Sequence, residues 1–298
     1  MKVLIVGGKG FIGNKLAIHL STKYDVFVCD IVDCNETNYF FVDAESPNFD
    51  ELFSTEQFDF CINASGFANV PLSLKEPLLD FNANTKNVFL MLDAIRKYQK
   101  NCGFITLSSA AVYGNPQKIP IMENDDLNPI SPYGYDKKLA EDICKMFSEI
   151  YGLNTTCLRL FSVYGTGIKK QLIWDVCNKY TFNDVVSLFG TGNETRDFIH
   201  VDDIVQIIDL LINDFPIGFE ILNCANGEQI SVKQIATYME QIFSSGKKIV
   251  FSNENRKGDP LYWEADISKI KRLGYKQRIN IYDGLRDYIK WFKQEVRS

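Results

Sequence analysis

The sequence predicts a doubly wound parallel α/β sheet with a smaller mixed α/β substrate domain, and three observations lead there. Short apolar runs rich in β-branched residues alternate with segments of helical periodicity from Val3 to Leu160. That is the pattern of strands buried on both faces and joined by crossover helices. A glycine cluster, Gly7-Gly8-Lys9-Gly10-Phe11-Ile12-Gly13, separates the first run from the first helix. Beyond Gly167 the alternation fades and the segments mix. Residues 1–166 plus about 197–225 are therefore assigned to the sheet domain, and about 167–196 plus 226–298 to the smaller one.

Val3–Val6 is the first strand and the amphipathic stretch Phe11–Leu20 the first helix. The glycines fit G-x-G-x-x-G from Gly8 or G-x-x-G-x-x-G from Gly7. In either frame the backbone can approach a pyrophosphate at the positive end of the next helix. The second strand, Val26–Cys29, ends in Asp30, seventeen residues past Gly13. A carboxylate there accepts hydrogen bonds from a ribose 2′-hydroxyl and repels a 2′-phosphate. Strand, glycines, helix, strand and acid in this order predict a Rossmann-type dinucleotide site built from Gly7, Gly10, Phe11, Ile12, Gly13, Asp30 and Ile31. Asp30 with no arginine beside it selects NAD over NADP.

Tyr39–Val42 reads as a third strand, whose Asp43 either faces the adenine or caps the next turn. Phe58–Ile62, the fourth, runs into Asn63-Ala64-Ser65-Gly66. The small Ala64 and Ser65 leave room for a cofactor at the carboxyl end of the sheet. Asn84–Tyr98 has helical periodicity, and Phe104–Leu107 is a fifth strand delivering Ser108-Ser109.

Tyr133 and Lys137 stand four apart near the start of the long helix Tyr133–Tyr151, so both lie on one face a turn apart. A tyrosine ionises near pH ~10, and a neighbouring ammonium favours the phenolate. The Ser109 hydroxyl can hydrogen-bond the alcohol whose proton the phenolate removes. The three form a candidate base for oxidising a sugar or steroid alcohol.

Thr155–Leu160 is a sixth strand, Val185–Leu188 a short one, and Ile221–Ala225 a last strand returning to the sheet. Asp202-Asp203 is read as the cap of a helix over Ile204–Ile212, and Ser231 as opening Val232–Phe243. His200 has no partner at metal spacing and His19 lies mid-helix, so both are read as structural and no metal is expected.

Composition bounds the rest. A chain of 298 residues, 46% hydrophobic and 23% charged, has the balance of an ordinary soluble globular protein with a sizeable core. A formal net charge of −6 with interspersed signs argues against a nucleic-acid partner. The eight scattered cysteines include no Cys-x-x-Cys and suit packing in a reducing, cytoplasmic setting. The apolar run after Lys2 stops at Gly7-Gly8, short of a signal peptide, and no stretch is expected to span a membrane.

The chain resembles the extended short-chain dehydrogenase/reductases, in the nucleotide-sugar epimerase and dehydratase group. The matching pieces are Gly7–Gly13, Asp30, Ser108-Ser109-Ala110-Ala111-Val112-Tyr113-Gly114, Tyr133-x-x-x-Lys137, Leu158–Gly165, Gly190–Asp203 and Arg256-Lys257-Gly258-Asp259. They keep the family's order along nearly the whole chain. The resemblance implies a homodimer through the Tyr133–Tyr151 and Asn84–Tyr98 helices, and a nucleotide-sugar substrate. It implies that Arg196 and Arg256 clamp the diphosphate, with Ser162, where relatives commonly carry Asn, at the substrate. Trp263 falls where epimerases vary the size of a residue near the sugar's 2-substituent, and its bulk resembles the forms restricted to unacetylated hexoses.

Dehydratases of the group carry a Thr-Asp-Glu version of the loop that reads Ser109-Ala110-Ala111 here, which lacks the acids for eliminating water. The resemblance thus implies an NAD-dependent nucleotide-sugar 4-epimerase with Ser109, Tyr133 and Lys137 as catalytic residues, similar to enzymes of polysaccharide biosynthesis. A 4-dehydrogenase or 4-ketoreductase with the same residues, and a non-catalytic NAD(H)-sensing regulator, stay open.

Overall fold

In a computed structural model, which describes residues 1–254 and 261–296, the apolar runs of the first half become strands. The chain order is β1 (Lys2–Val6), α1 (Phe11–Leu20), β2 (Asp25–Asp30), β3 (Tyr39–Phe41), α2 (Phe49–Thr55), β4 (Phe60–Asn63), α3 (Val70–Lys75), α4 (Pro77–Phe81), α5 (Asn87–Tyr98), β5 (Gly103–Ser109), α6 (Pro132–Tyr151) and β6 (Thr155–Leu160). It continues through β7 (Ser162–Tyr164), α7 (Gln171–Phe182), β8 (Val185–Leu188), β9 (Thr195–Arg196), β10 (Phe198–His200), α8 (Val201–Asn213) and β11 (Phe219–Cys224). Then come β12 (Ile230–Ser231), α9 (Val232–Phe243), β13 (Lys248–Phe251), α10 (Ser268–Arg272) and α11 (Ile281–Glu295).

Seven strands form one sheet in the order β11-β6-β5-β4-β1-β2-β3, every neighbouring pair parallel. Strand order reverses beside β1, between β2 and β4. A ligand crevice forms at such a point, outside the carboxyl ends of the strands. One apolar cluster lies on each face of the sheet: Val3, Ile5, Leu16 and Ile204 belong to one, Leu4, Val6, Met91 and Phe147 to the other. This alternation of β1 side chains between two cores is why the strand reads as a continuous apolar run. A third cluster gathers Tyr164, Val176, Val186, Phe198, Ile235, Leu285 and Phe292 from β7 onward.

Several expectations are refined. The helix expected from Asn84 begins at Asn87, and a π-helical turn at Asn82–Lys86 precedes it. Asp202 and Asp203 do not cap α8: the cap is His200, whose Nδ1 accepts from the Asp202 N–H at 3.2 Å, and both acids sit in the first turn. Ser231 does open α9, through a reciprocal capping box with Gln234. The last helix, α11, escaped the sequence reading, although its Leu285, Tyr288, Ile289 and Phe292 repeat at helical spacing and are buried.

Candidate active site

The glycine turn is shaped by close backbone approach. Gly7 has φ +81°, and a Cβ on it would sit 2.6 Å from the Ser65 nitrogen; one on Gly13 would sit 2.1 Å from the Gly7 carbonyl oxygen. The turn therefore packs directly on Ala64–Ser65 at the end of β4. Asn63 organises that end, donating to Thr106 Oγ1 at 3.1 Å and accepting from the Ser65 N–H at 3.1 Å. α1 starts at Phe11 with no side-chain cap and no acid in its first turn, so its N–H groups are left to an anion. Phe11 packs at the edge of the third cluster and Ile12 on the first. This cradle fits the pyrophosphate of a dinucleotide. Gly13→Ala should cost more than tenfold in NAD affinity by titration calorimetry, and unaltered binding would contradict the placement.

Asp30 accepts from the Lys9 N–H at 2.8 Å and from the Ile31 N–H at 2.8 Å, which ties the turn to the end of β2. Ile31 is exposed just beyond it. No arginine was expected beside Asp30, and the cation that stands there is Lys9, whose ammonium is bound to Glu36 at 2.6 Å. Glu36 offsets the one charge on the turn that would attract a 2′-phosphate. Asp43 is exposed and accepts from the Glu45 N–H at 2.8 Å, the turn-capping role weighed above.

Ser109 ends β5 and caps the short 3₁₀ turn Ala110–Val112, its Oγ accepting from the Ala111 N–H at 3.2 Å. α6 starts with Pro132 in its first turn and Ser131 as cap, accepting from the Gly134 N–H at 3.2 Å. This start turns Tyr133 toward Ser109, whose hydroxyl favours the Tyr133 phenolate. Lys137 donates from Nζ to the Leu107 carbonyl at 2.9 Å and lies 5.9 Å from the Tyr133 ring centre. Both side chains are buried. Burial pushes the Tyr133 phenol up to about 12, with the Ser109 hydroxyl pulling against it and the Asp80 charge adding to it. Burial also brings the Lys137 ammonium down to about 8, against the charge of Asp80. The sequence reading that Lys137 depresses Tyr133 is thus outweighed by desolvation in the unliganded arrangement.

A buried ionic network holds α6 in place. Arg159 on β6 meets Glu141, one turn after Lys137, at 2.7 Å, and Glu141 also accepts from Ser108 Oγ. Arg159 Nη1 donates to the Tyr113 hydroxyl at 2.8 Å, and that hydroxyl bonds Asn223 Oδ1 at 2.6 Å. The sequence reading missed this role; its signal was an arginine inside the otherwise apolar Cys157–Leu160 run.

On the other side of the crevice Ser162 opens β7, its N–H on the Asp197 carbonyl at 2.9 Å. Arg196 donates to the Thr195 carbonyl at 2.9 Å and lies over the Trp263 ring, 5.7 Å from its centre. Trp263 is buried, packs edge-on against Phe161 and donates its indole N–H to the Gly114 carbonyl at 3.2 Å. Arg256 lies outside the described residues. Among the described residues no group of three or more His, Cys, Asp or Glu is placed to hold a metal, and no helix is long and apolar enough to cross a membrane.

Comparison with known proteins identifies the family. The family described as NAD dependent epimerase/dehydratase matches residues 3–225. A UDP-glucose 4-epimerase of Lactobacillus helveticus is 28% identical over 328 aligned residues, covering 100% of this chain and 99% of that protein. A UDP-glucuronate 4-epimerase of Thermodesulfobacterium geofontis is 27% identical, covering 87% of this chain and 81% of the relative. A crystal structure of a UDP-glucose 4-epimerase from Thermotoga maritima, with UDP-glucose, superposes with a TM-score of 0.88 at 27% identity, covering 99% of this chain and 100% of that one. The glycine cradle, the Ser109–Tyr133–Lys137 cluster and the match over three quarters of the sequence agree: the chain belongs to the NAD dependent epimerase/dehydratase family, and is an enzyme with NAD as its cofactor.

Proposed function

We propose that the protein is a 4-epimerase of UDP-linked hexoses that works by transient oxidation at C4. The observation that carries this is the convergence of Ser109, Tyr133 and Lys137 in one buried site at the end of β5, beside the strand ends that bear the glycine cradle. Gly7–Gly13 would hold the pyrophosphate, Asp30 the adenosine ribose and Lys137 the nicotinamide ribose. Bound NAD, in its oxidised form, supplies a positive charge and the acceptor that takes hydride from C4 and returns it to the other face.

Tyr133 takes the proton of the 4-hydroxyl and later gives it back, and Ser109 aligns that oxygen. The flat 4-keto sugar turns over between the two transfers while its diphosphate stays fixed. Arg196, with Arg256, suits that anchor because a planar guanidinium grips phosphate oxygens in pairs. Trp263 backs the Arg196 guanidinium and closes the wall, leaving an unacetylated sugar the better fit. The sheet domain would then carry the cofactor and residues 167–196 plus 226–298 the substrate.

The ammonium of Lys137 favours the Tyr133 phenolate, and it is lost as pH rises through about 8. The kcat/KM profile should therefore fall on its alkaline side; a rate still climbing beyond about pH 10 would contradict the role. The reading itself is tested by incubating the NAD-loaded protein with UDP-glucose, UDP-glucuronate and UDP-N-acetylglucosamine and following product stereochemistry by NMR. The expected result is inversion at C4 with no build-up of NADH, fastest on an unacetylated sugar. Stoichiometric NADH would favour a dehydrogenase instead.

We also propose a homodimer, which the surface supports. Leu139, Met146 and Ile150 of α6 are exposed along one stripe, beside exposed Leu78 of α4 and Phe89 of α5. Two copies facing each other would cover it. Ile150→Glu should halve the mass seen by light scattering, and an unshifted mass would sink this arrangement. The setting we assign is cytoplasmic: none of the eight cysteines is bonded to another, and seven are buried.

A further inference from the structure

Behind the Tyr133–Lys137 pair lies a second pair of ionisable groups that the reaction above leaves unused. Asp80 on α4 is 1% exposed and Asp136 on α6 is 7% exposed. α4 packs on α6, and the carboxyl groups of Asp80 and Asp136 act on each other there. Neither oxygen of Asp80 is closely bonded by a donor among the described residues, nor is Oδ1 of the neighbouring Asn84, whose amide donates to the Phe67 carbonyl at 3.1 Å and also pulls Asp80 down. Two carboxylates this close in a dry place cannot both ionise, and a proton held between them supplies the missing donor.

We propose that Asp80 and Asp136 share one proton, and that the single negative charge they keep sets how firmly Lys137 holds its proton and how readily Tyr133 gives one up. They are positioning residues, acting through the two groups that touch the reaction. This rests on the epimerase reading only in naming which two groups matter.

Burial pushes Asp136 up to about 7, reinforced by its hydrogen bond to Asp80 and the charge there. Burial raises Asp80 too, while the hydrogen bond from Asp136 lowers it, so one proton and one charge stay within the pair. The groups facing this charge are Lys137 and Tyr133 of α6. Lys137 is also faced by Glu141, already paired with Arg159, and by Cys157 of β6. Ser109 of β5 faces Tyr133 as a neutral hydroxyl. An anion stabilises an ammonium and opposes a phenolate, so it raises both titrations. The arrangement keeps Lys137 charged at neutral pH at some cost to the fraction of Tyr133 present as phenolate. The proton shared with Asp136 limits that cost to one charge.

The sign gives the test. Changing both acids, Asp80→Asn with Asp136→Asn, removes the charge, and the titrations of Lys137 and Tyr133 should both move to lower pH, by roughly half to one unit. Asp136→Asn alone leaves the charge on Asp80 and should move them less than half as far. In NAD-loaded protein carrying ring-labelled tyrosine, the Tyr133 resonance, assigned by its loss in Tyr133→Phe, reports its titration directly. Infrared spectra of the parent near neutral pH should show a buried protonated-carboxyl band that Asp136→Asn removes. A Tyr133 titration unmoved by the double change, or no such band in the parent, would overturn the proposal. If the double variant fails to fold, the infrared comparison on Asp136→Asn still decides it. Neither readout needs a sugar, so a failure to epimerise would count against the function proposed above and not against the pair.

Discussion

Tyr133→Phe should lower kcat/KM by about 10²–10⁴-fold, the usual range for a positioned acid–base group. The ring volume is kept, so the wall of the site should stand, and NAD binding and thermal unfolding should match the parent. Only the hydroxyl that Ser109 acts on is removed. Burial already holds that hydroxyl high, up to about 12, so the base functions only when positive charge is brought to it. In the proposed mechanism Lys137 would supply one such charge and oxidised NAD the other. Activity should therefore depend on both in the same way: Lys137→Met should resemble Tyr133→Phe in kcat/KM. Turnover by Tyr133→Phe within threefold of the parent would remove Tyr133 from the mechanism.

Glu141→Ala should produce the largest loss of stability, about 3–5 kcal/mol, seen as a lower denaturant midpoint at unchanged slope. Arg159 is 1% exposed and would be left in the core with only the Tyr113 hydroxyl and the Glu123 carbonyl as partners. Ser108 would lose its acceptor as well. The control is the double change Glu141→Leu with Arg159→Met, which removes both charges and should recover most of the loss, because buried ion pairs contribute little net stability over apolar replacements. A single variant within about 1 kcal/mol of the parent would show that Arg159 finds another partner. Since α6 also carries Tyr133 and Lys137, the single variant should lose activity before it unfolds.

Local signals made the cofactor half of the site legible. Gly7, Gly13 and Asp30 lie within one βαβ unit, and their geometry follows from backbone contacts over a few tens of residues. Tyr133 and Lys137 could be paired from helical spacing alone, and Ser109 from its place at a strand end. What could not be read is the chemistry that joins distant segments. Arg159 bonds Glu141, Tyr113 and Glu123, eighteen to forty-six residues away, and nothing in the intervening sequence marks the register. Asp80 looks like an ordinary surface acid on a short helix until α6 covers it. Trp263 could be placed on the wall but not oriented, and its N–H turns out to be held by Gly114, a contact spanning 149 residues. The cap of α8 was misjudged because an imidazole took the place expected for an aspartate.

The central claim is that hydride leaves and returns to C4 within one site while Tyr133 handles the proton. UDP-glucose carrying deuterium at C4 tests it most directly, with the NAD-loaded protein in ordinary water and products analysed by mass and NMR. The account predicts UDP-galactose with the deuterium still at C4 and no accumulated NADH. Deuterium lost to solvent, or appearing in released NADH alongside a free 4-keto sugar, would contradict it.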